Sequence, residues 1–241
     1  MTQREKSIDF DGFHWELRLP SNLDTEFANG AWWDKDVHDW IVQQVKPGMC
    51  CVDAGANFGP FTMLLSRCAG PKGWVYAFEP CPSFFTRLQR HIELNKLENV
   101  TAKQMALRDK AGPAICVMSA GPEFSTAFVR DSVADGSGSA VESIPLDEFW
   151  QTRGPLDFMK IDVDGCEMEL LLGAEGVICE HKPSMVIEIP LASEGIEIGG
   201  WLRDHGYKLL DHRGYELTEA HLGHSKNAGT MNVLAVHKES R

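Results

Sequence analysis

Apolar positions along this chain change period several times, and each change marks an element. "IDFDGFHWELRLP" alternates and predicts a short strand or hairpin. "DKDVHDWIVQQV", Asp34 to Val45, sets Val37, Trp40, Ile41 and Val45 at helical spacing, and Pro47 and Gly48 end that helix. Strand and helix patterns then alternate. "MCCVDAG" predicts a strand, followed by a helix from about Gly59 to Cys68. "GWVYAFEP" predicts a second strand and "PSFFTRLQRHIELNKL" a helix, and "VTAKQMAL" a third strand. "LDEFWQTR" predicts a short helix, "LDFMKIDVDG" a fourth strand, "EMELLLGAEGVICEH" a helix and "SMVIEIP" a fifth strand. "IGGWLRDHG" predicts a helix, and "YKLLDHR" and "MNVLAVHK" the last two strands.

Strands separated by helices pair in parallel through right-handed crossovers. No helix pattern lies between the last two strands, so those are expected to pair antiparallel at one edge. Gly112 to Glu142 breaks the rhythm: "AICVMSA" and "FSTAFVR" predict short strands, and "DSVADGSGSA" a loop.

Length and composition add limits. The 241 residues suffice for one domain with a substantial core. The net charge of −12 opposes a nucleic-acid partner, because no basic stretch offsets it. The seven cysteines form no C-x-x-C pair, so neither a zinc site nor a disulfide framework is expected. No apolar run reaches the ~18 residues of a membrane span, and "MTQREKSIDF" lacks the apolar core of a signal peptide. A cytoplasmic protein with no membrane partner is the expectation.

The chemistry gathers at the strand ends. An open parallel sheet binds ligands beyond the carboxyl ends of its strands. Asp53, Glu79, Asp162 with Asp164, and Glu188 all fall there. Such acids repel one another unless a cation or a hydroxyl-rich ligand sits among them. The turn "DAGANFG" puts Asn57 where a dinucleotide site has its second glycine, and Asp53 just before the turn. That pattern disfavours a pyrophosphate and suits a ligand with an ammonium group. Glu79, at the end of the next strand, is placed to accept two ribose hydroxyls. A ribose and a cation without phosphate describe S-adenosylmethionine.

"VDAGANFGPFT", "GWVYAFEP", "NVTAKQMALRDKAG" and "FMKIDVDGCEMELLLGAE" together resemble the FkbM family of S-adenosylmethionine-dependent methyltransferases, over about Asp34 to Ile189. The resemblance implies a class I methyltransferase-like, Rossmann-like α/β three-layer sandwich, with a seven-stranded, mostly parallel sheet and one antiparallel strand. It implies residues 46–241 as the cofactor-binding domain, with residues 1–45 as an extension covering the substrate side. Asp53, Gly55, Ala56, Asn57 and Gly59 would line the methionine end of the cofactor, and Glu79 its ribose. Ala106 and Leu107 would lie near the adenine, Ser125 and Thr126 match a polar pair, and Asp162 borders cofactor and substrate. Asp164 stands where the family has glutamate.

Methyl transfer to an oxygen of a small natural-product or sugar-like molecule is the resulting expectation. Transfer to nitrogen, or a silent nucleoside-binding module, are the alternatives. Asp162, His212 and His224 are candidate bases. His38 lies in the helix of a possible lid, and His91 is expected at the surface of its own helix. Lys160 shares a strand face with Asp162 and is expected to pair with it. Asp162, Asp164 and Glu188 are of the right type for a hard cation, but nothing in the motif demands one, and no metal is assigned. Trp32 and Trp33 are either core or the wall of a substrate pocket.

Overall fold

A computed structural model describes residues 4–119, 126–133, 137–223 and 229–239. The chain opens with the hairpin β1 (Arg4–Phe10) and β2 (Phe13–Leu19), then the helices α1 (Asn22–Ala28) and α2 (Lys35–Gln44). The alternating part runs β3 (Cys50–Ala54), α3 (Pro60–Ala69), β4 (Trp74–Phe78), α4 (Pro82–Leu94) and β5 (Val100–Lys103). An insertion follows: β6 (Ala106–Leu107), β7 (Gly112–Met118), β8 (Ala127–Arg130) and β9 (Ser139–Ile144). Then come α5 (Leu146–Trp150), β10 (Phe158–Ile161), α6 (Glu167–Gly173), α7 (Glu175–His181) and β11 (Ser184–Pro190). The chain closes with α8 (Ser193–Asp204), β12 (Tyr207–Leu210), α9 (Glu219–Gly223) and β13 (Thr230–His237).

The main sheet has seven strands in the order β12-β13-β11-β10-β3-β4-β5. Its β3, β4, β5, β10 and β11 pair in parallel, while β13 runs antiparallel to both β11 and β12, as expected, although the sequence pattern did not show the short α9 that lies between β12 and β13. Alternation along each strand sorts side chains between two layers. Val52, Ala54, Met159, Ile161 and Ile187 face the helices α5 to α8. Cys51, Phe158 and Val186 face α2 and α3. By the same period of two, Asp53 and Lys160 fall on the second face, and they are register partners on neighbouring strands.

The N-terminal hairpin is packed into the fold. Phe13, Trp15, Leu17 and Phe27 are buried against Phe58, Met63 and Leu88. Three local expectations change. "VTAKQMAL" splits: Val100–Lys103 stays at the edge of the main sheet, while Ala106–Leu107 leaves it to pair with Ser143 and Ile144 in a second, four-stranded sheet. The helix pattern from Glu167 to His181 breaks at Ala174. His91 is buried, not on the surface: it fills the space between α4 and the hairpin, with its Nδ1 2.7 Å from the Phe58 carbonyl and its Nε2 accepting the Glu16 N–H at 3.0 Å. Among the described residues no helix is long and apolar enough to cross a membrane.

Candidate active site

A cavity opens beyond the carboxyl ends of β3, β4, β10 and β11, where five acids were expected to meet. It is lined there by Gly55, Ala56, Asn57, Glu79, Asp162, Asp164 and Glu188. Ala106, Leu107, Phe84 and Thr126 form another part of the wall. The N-terminal region supplies Asn22, Leu23, Phe27, Trp32, Trp33 and Asp34.

The turn after β3 is built by conformation. Gly55 has φ +76, and a Cβ there would come within 1.7 Å of the Asp162 carbonyl oxygen. Only glycine permits this approach of β3 to β10. Asn57 follows at φ 52, a left-handed conformation that asparagine tolerates better than most residues, and its Oδ1 accepts the next N–H, from Phe58, at 2.8 Å. Gly59, at φ +103, caps α3, and a Cβ there would press on Leu88.

Glu79 is buried at the end of β4. Its Oε2 accepts the Asn57 N–H at 2.8 Å and its Oε1 the Cys81 N–H at 2.7 Å. Burial pushes its carboxyl up to about 8, although those two N–H groups oppose the shift. Each oxygen keeps a second lone pair for a ligand hydroxyl.

Asp53 behaves otherwise. It is fully buried and does not line the cavity. Its Oδ2 accepts a hydrogen bond from Thr62 Oγ1 at 2.6 Å, and its Oδ1 faces Lys160 Nζ at 3.9 Å. Burial raises its carboxyl. On its strand face the Asp53 side chain turns toward Thr62 and Lys160, beneath the cavity wall on which it was expected.

Lys160 is the buried cation of the site. Its Nζ donates to Asp162 Oδ2 at 2.9 Å, as the shared strand face predicts, and to the Gly55 carbonyl at 3.1 Å. Beside this pair, Asp162, Asp164 and Glu188 each offer an oxygen within 4.8 Å of the others. Burial, then repulsion from Asp162, pushes both Asp164 and Glu188 up to about 7. Glu188 accepts from Thr230 Oγ1 at 2.7 Å, and Asp164 only a long bond, 3.4 Å, from the Ala127 N–H. Asp34, unmarked by any motif, joins the same wall, and burial raises it to about 6.

The histidines fare differently. His212 sits in an exposed turn beyond β12, next to Arg213, and does not line the cavity. Edge strand β12 is three places from β10, which is why the sixth strand's end does not reach the site. His38 packs on Trp32 and bonds Asp39, away from the lining. His224 and Ser125 lie outside the described residues.

Residues 53–209 match the model of the Methyltransferase FkbM domain, well over half of the chain. This chain belongs to the FkbM family of S-adenosylmethionine-dependent methyltransferases. Methyltransferase 1 of Beauveria bassiana (strain ARSEF 2860) is 29% identical over 159 residues, 57% of this chain and 63% of that protein, less than two thirds of its length. Methyltransferase sdnD of Sordaria araneosa is 28% identical over 214 residues, 75% of this chain and 79% of that one.

Among solved structures, an FkbM methyltransferase from Methylobacillus flagellatus KT superimposes with a TM-score of 0.52 at 17% identity, over 82% of this chain and 50% of that one. TYW2 of M. jannaschii, in complex with AdoMet, gives 0.51 at 18%, over 98% and 85%. At such identities the likeness is one of fold, and the fold is that of class I methyltransferases.

The residues of this FkbM chain suit its cofactor, S-adenosylmethionine. Glu79, a carboxylate held by two backbone N–H groups at the end of β4, matches two ribose hydroxyls, and Ala106 and Leu107 offer an apolar wall for a purine. Sequence reasoning left Trp32 and Trp33 between core and pocket wall, and both line the cavity; it missed Asp34 and Phe84 because they come from segments that are not strand ends. The one available signal was the indole pair Trp32-Trp33 next to an acid, just before the first amphipathic helix.

Proposed function

We propose that this FkbM methyltransferase methylates an oxygen of a small natural-product or sugar-like molecule. The observation carrying this reading is the grouping of Asp162, Asp164 and Glu188 around one point in the cavity that also holds Glu79. Bound S-adenosylmethionine supplies a methyl group on a positively charged sulfur. Gly55, Ala56, Asn57 and Gly59 form the turn for its methionine end, Glu79 takes the ribose hydroxyls, and Ala106, Leu107 and Thr126 line the adenine side.

The protein's share of the chemistry is placement and proton removal. The cavity holds the acceptor hydroxyl in line with the methyl carbon and keeps water away. Asp164 and Glu188, both raised to about 7, take up the hydroxyl proton near neutral pH. Asp162, already paired with Lys160, orients the acceptor instead of deprotonating it. The segment 1–45 covers the acceptor side, and Trp32, Trp33 and Asp34 on the cavity wall support that role. A net charge of −12 favours a small molecule over a polyanion.

The test has two arms. Calorimetry is expected to give micromolar S-adenosylmethionine binding that Glu79→Ala weakens at least ~10-fold. Equal binding by both proteins removes the ribose role. Formation of S-adenosylhomocysteine with a panel of hydroxylated acceptors separates the enzyme from a silent binding module. Product analysis separates O- from N-methylation.

A further inference from the structure

We propose that the acceptor of this enzyme is a cation, a hydroxyl-bearing molecule that also carries an ammonium group, seated in the cavity whose wall carries Asp34, Asp164, Glu188 and Trp33. The inference rests on the methyltransferase reading and names the substrate class for the same cavity.

Charge balance is the first line of argument. The acceptor end of the cavity holds Asp34, Asp162, Asp164 and Glu188, and among the described residues Lys160 is the basic side chain on its wall. Lys160 is committed to Asp162 at 2.9 Å and to the Gly55 carbonyl. Asp34, Asp164 and Glu188 have no basic side chain in ion-pair range among the described residues; their recorded partners are the Asn232 side chain, the Ala127 N–H and Thr230 Oγ1. S-adenosylmethionine, with an ammonium and a sulfonium against one carboxylate, contributes one net positive charge. Counted over the described residues, at least two carboxylates stay unbalanced in a partly buried space, where a mobile cation is strongly attracted.

The aromatic wall is the second, independent line. Trp33 is 47% exposed, lines the cavity, and has no ring partner among the described residues. Trp32, beside it in sequence, is by contrast locked against Phe61, Phe27 and His38. An indole left open on the wall of a cavity that also holds a group of carboxylates is the pairing that holds an ammonium by its ring face and its counter-charge together. A carboxylate-bearing acceptor is rejected by the same wall. A neutral polyol satisfies the hydrogen bonds and leaves the charge in place. Without a cation the acids shed charge by taking up protons, in keeping with the raised values of Asp34, Asp164 and Glu188. A cation that displaces those protons makes binding release them.

The experiment uses the full chain saturated with S-adenosylhomocysteine and two matched series at pH 7. One is glucosamine, glucose and glucuronate; the other is tyramine, 4-ethylphenol and 4-hydroxyphenylacetate. In at least one series the ammonium member is expected to bind ~10-fold or more tightly than its neutral partner, the anion weakest, with protons released as read from heats in buffers of different ionisation enthalpy. Glu188→Gln and Asp164→Asn, singly and together, are expected to lower that ratio toward one. A neutral member binding as well as the amine in both series overturns the inference, as does the absence of any amine binding. A ratio unchanged in the folded variants, or Mg²⁺ binding that abolishes the amine preference, overturns it too. Failure of S-adenosylhomocysteine itself to bind strikes the methyltransferase reading; its binding without amine preference strikes only this proposal.

Discussion

Asp53 and Lys160 stand opposite each other on neighbouring parallel strands, and the ammonium lies 3.9 Å from an Asp53 oxygen that has no hydrogen-bond partner among the described residues. Both side chains are buried, at 0% and 4% exposure. Lys160 thus balances Asp53 from below while it ties Asp162 and the Gly55 carbonyl together from the side. The ligand-binding rim is held by a cation that also sets its charge.

Removing that cation leaves Asp53 buried without a counter-charge. Lys160→Met is expected to cost about 3–5 kcal/mol in urea unfolding, because breaking a buried pair strands the partner. Asp53→Asn added to it is expected to recover part of the loss. A cost below ~1 kcal/mol for Lys160→Met refutes the role given to this pair.

Glu79 makes the stability of the protein fall as pH rises. Its folded value, about 8, lies above its ordinary 4.5, so between the two the folded state holds a proton that the unfolded state has released. The stabilisation it allows is complete below pH 4.5 and is lost as pH climbs through 8. Asp164 and Glu188, raised to about 7, act with the same sign. From pH 6.5 to 8 the urea stability is expected to drop by about 1–2 kcal/mol from Glu79 alone. His91, lowered by burial, acts with the opposite sign. Glu79→Gln is expected to flatten the slope; an unchanged slope assigns it to other groups.

The turn at Gly55 separates conformational need from mere glycine content. Gly55→Ala places a methyl against the Asp162 carbonyl in a backbone conformation that L-residues resist. It is expected to cost about 3 kcal/mol or more and to weaken cofactor binding with it. Gly200→Ala, in α8 with no atom within 4 Å of the added methyl, is expected to stabilise by about 0.5–1 kcal/mol. Thermal unfolding of the two variants gives the comparison, and equal effects contradict the close approach of β3 to β10.

The strands and their order of crossovers were legible because burial on both sheet faces forces apolar runs, and glycine and proline punctuate them. The same runs end in Glu79, Asp162, Asp164 and Glu188, so the acidic rim followed from the sequence once a parallel sheet was assumed. Alternation also paired Lys160 with Asp162. It did not show that Asp53 turns beneath the rim, since a period of two assigns a face but not what covers that face. Position along the chain also failed for the histidines. His91 is buried because a hairpin far away in sequence closes over α4, and His212 is remote because β12 is an edge strand. Asp34 and Trp33 reach the cavity only because the segment before α2 folds over the rim. Local hydrophobicity decided which residues form strands and helices and which acids end them. Packing between distant segments decided which of those charges meet, which are buried, and what stands across from them, because such contacts depend on three-dimensional closure that no local period encodes.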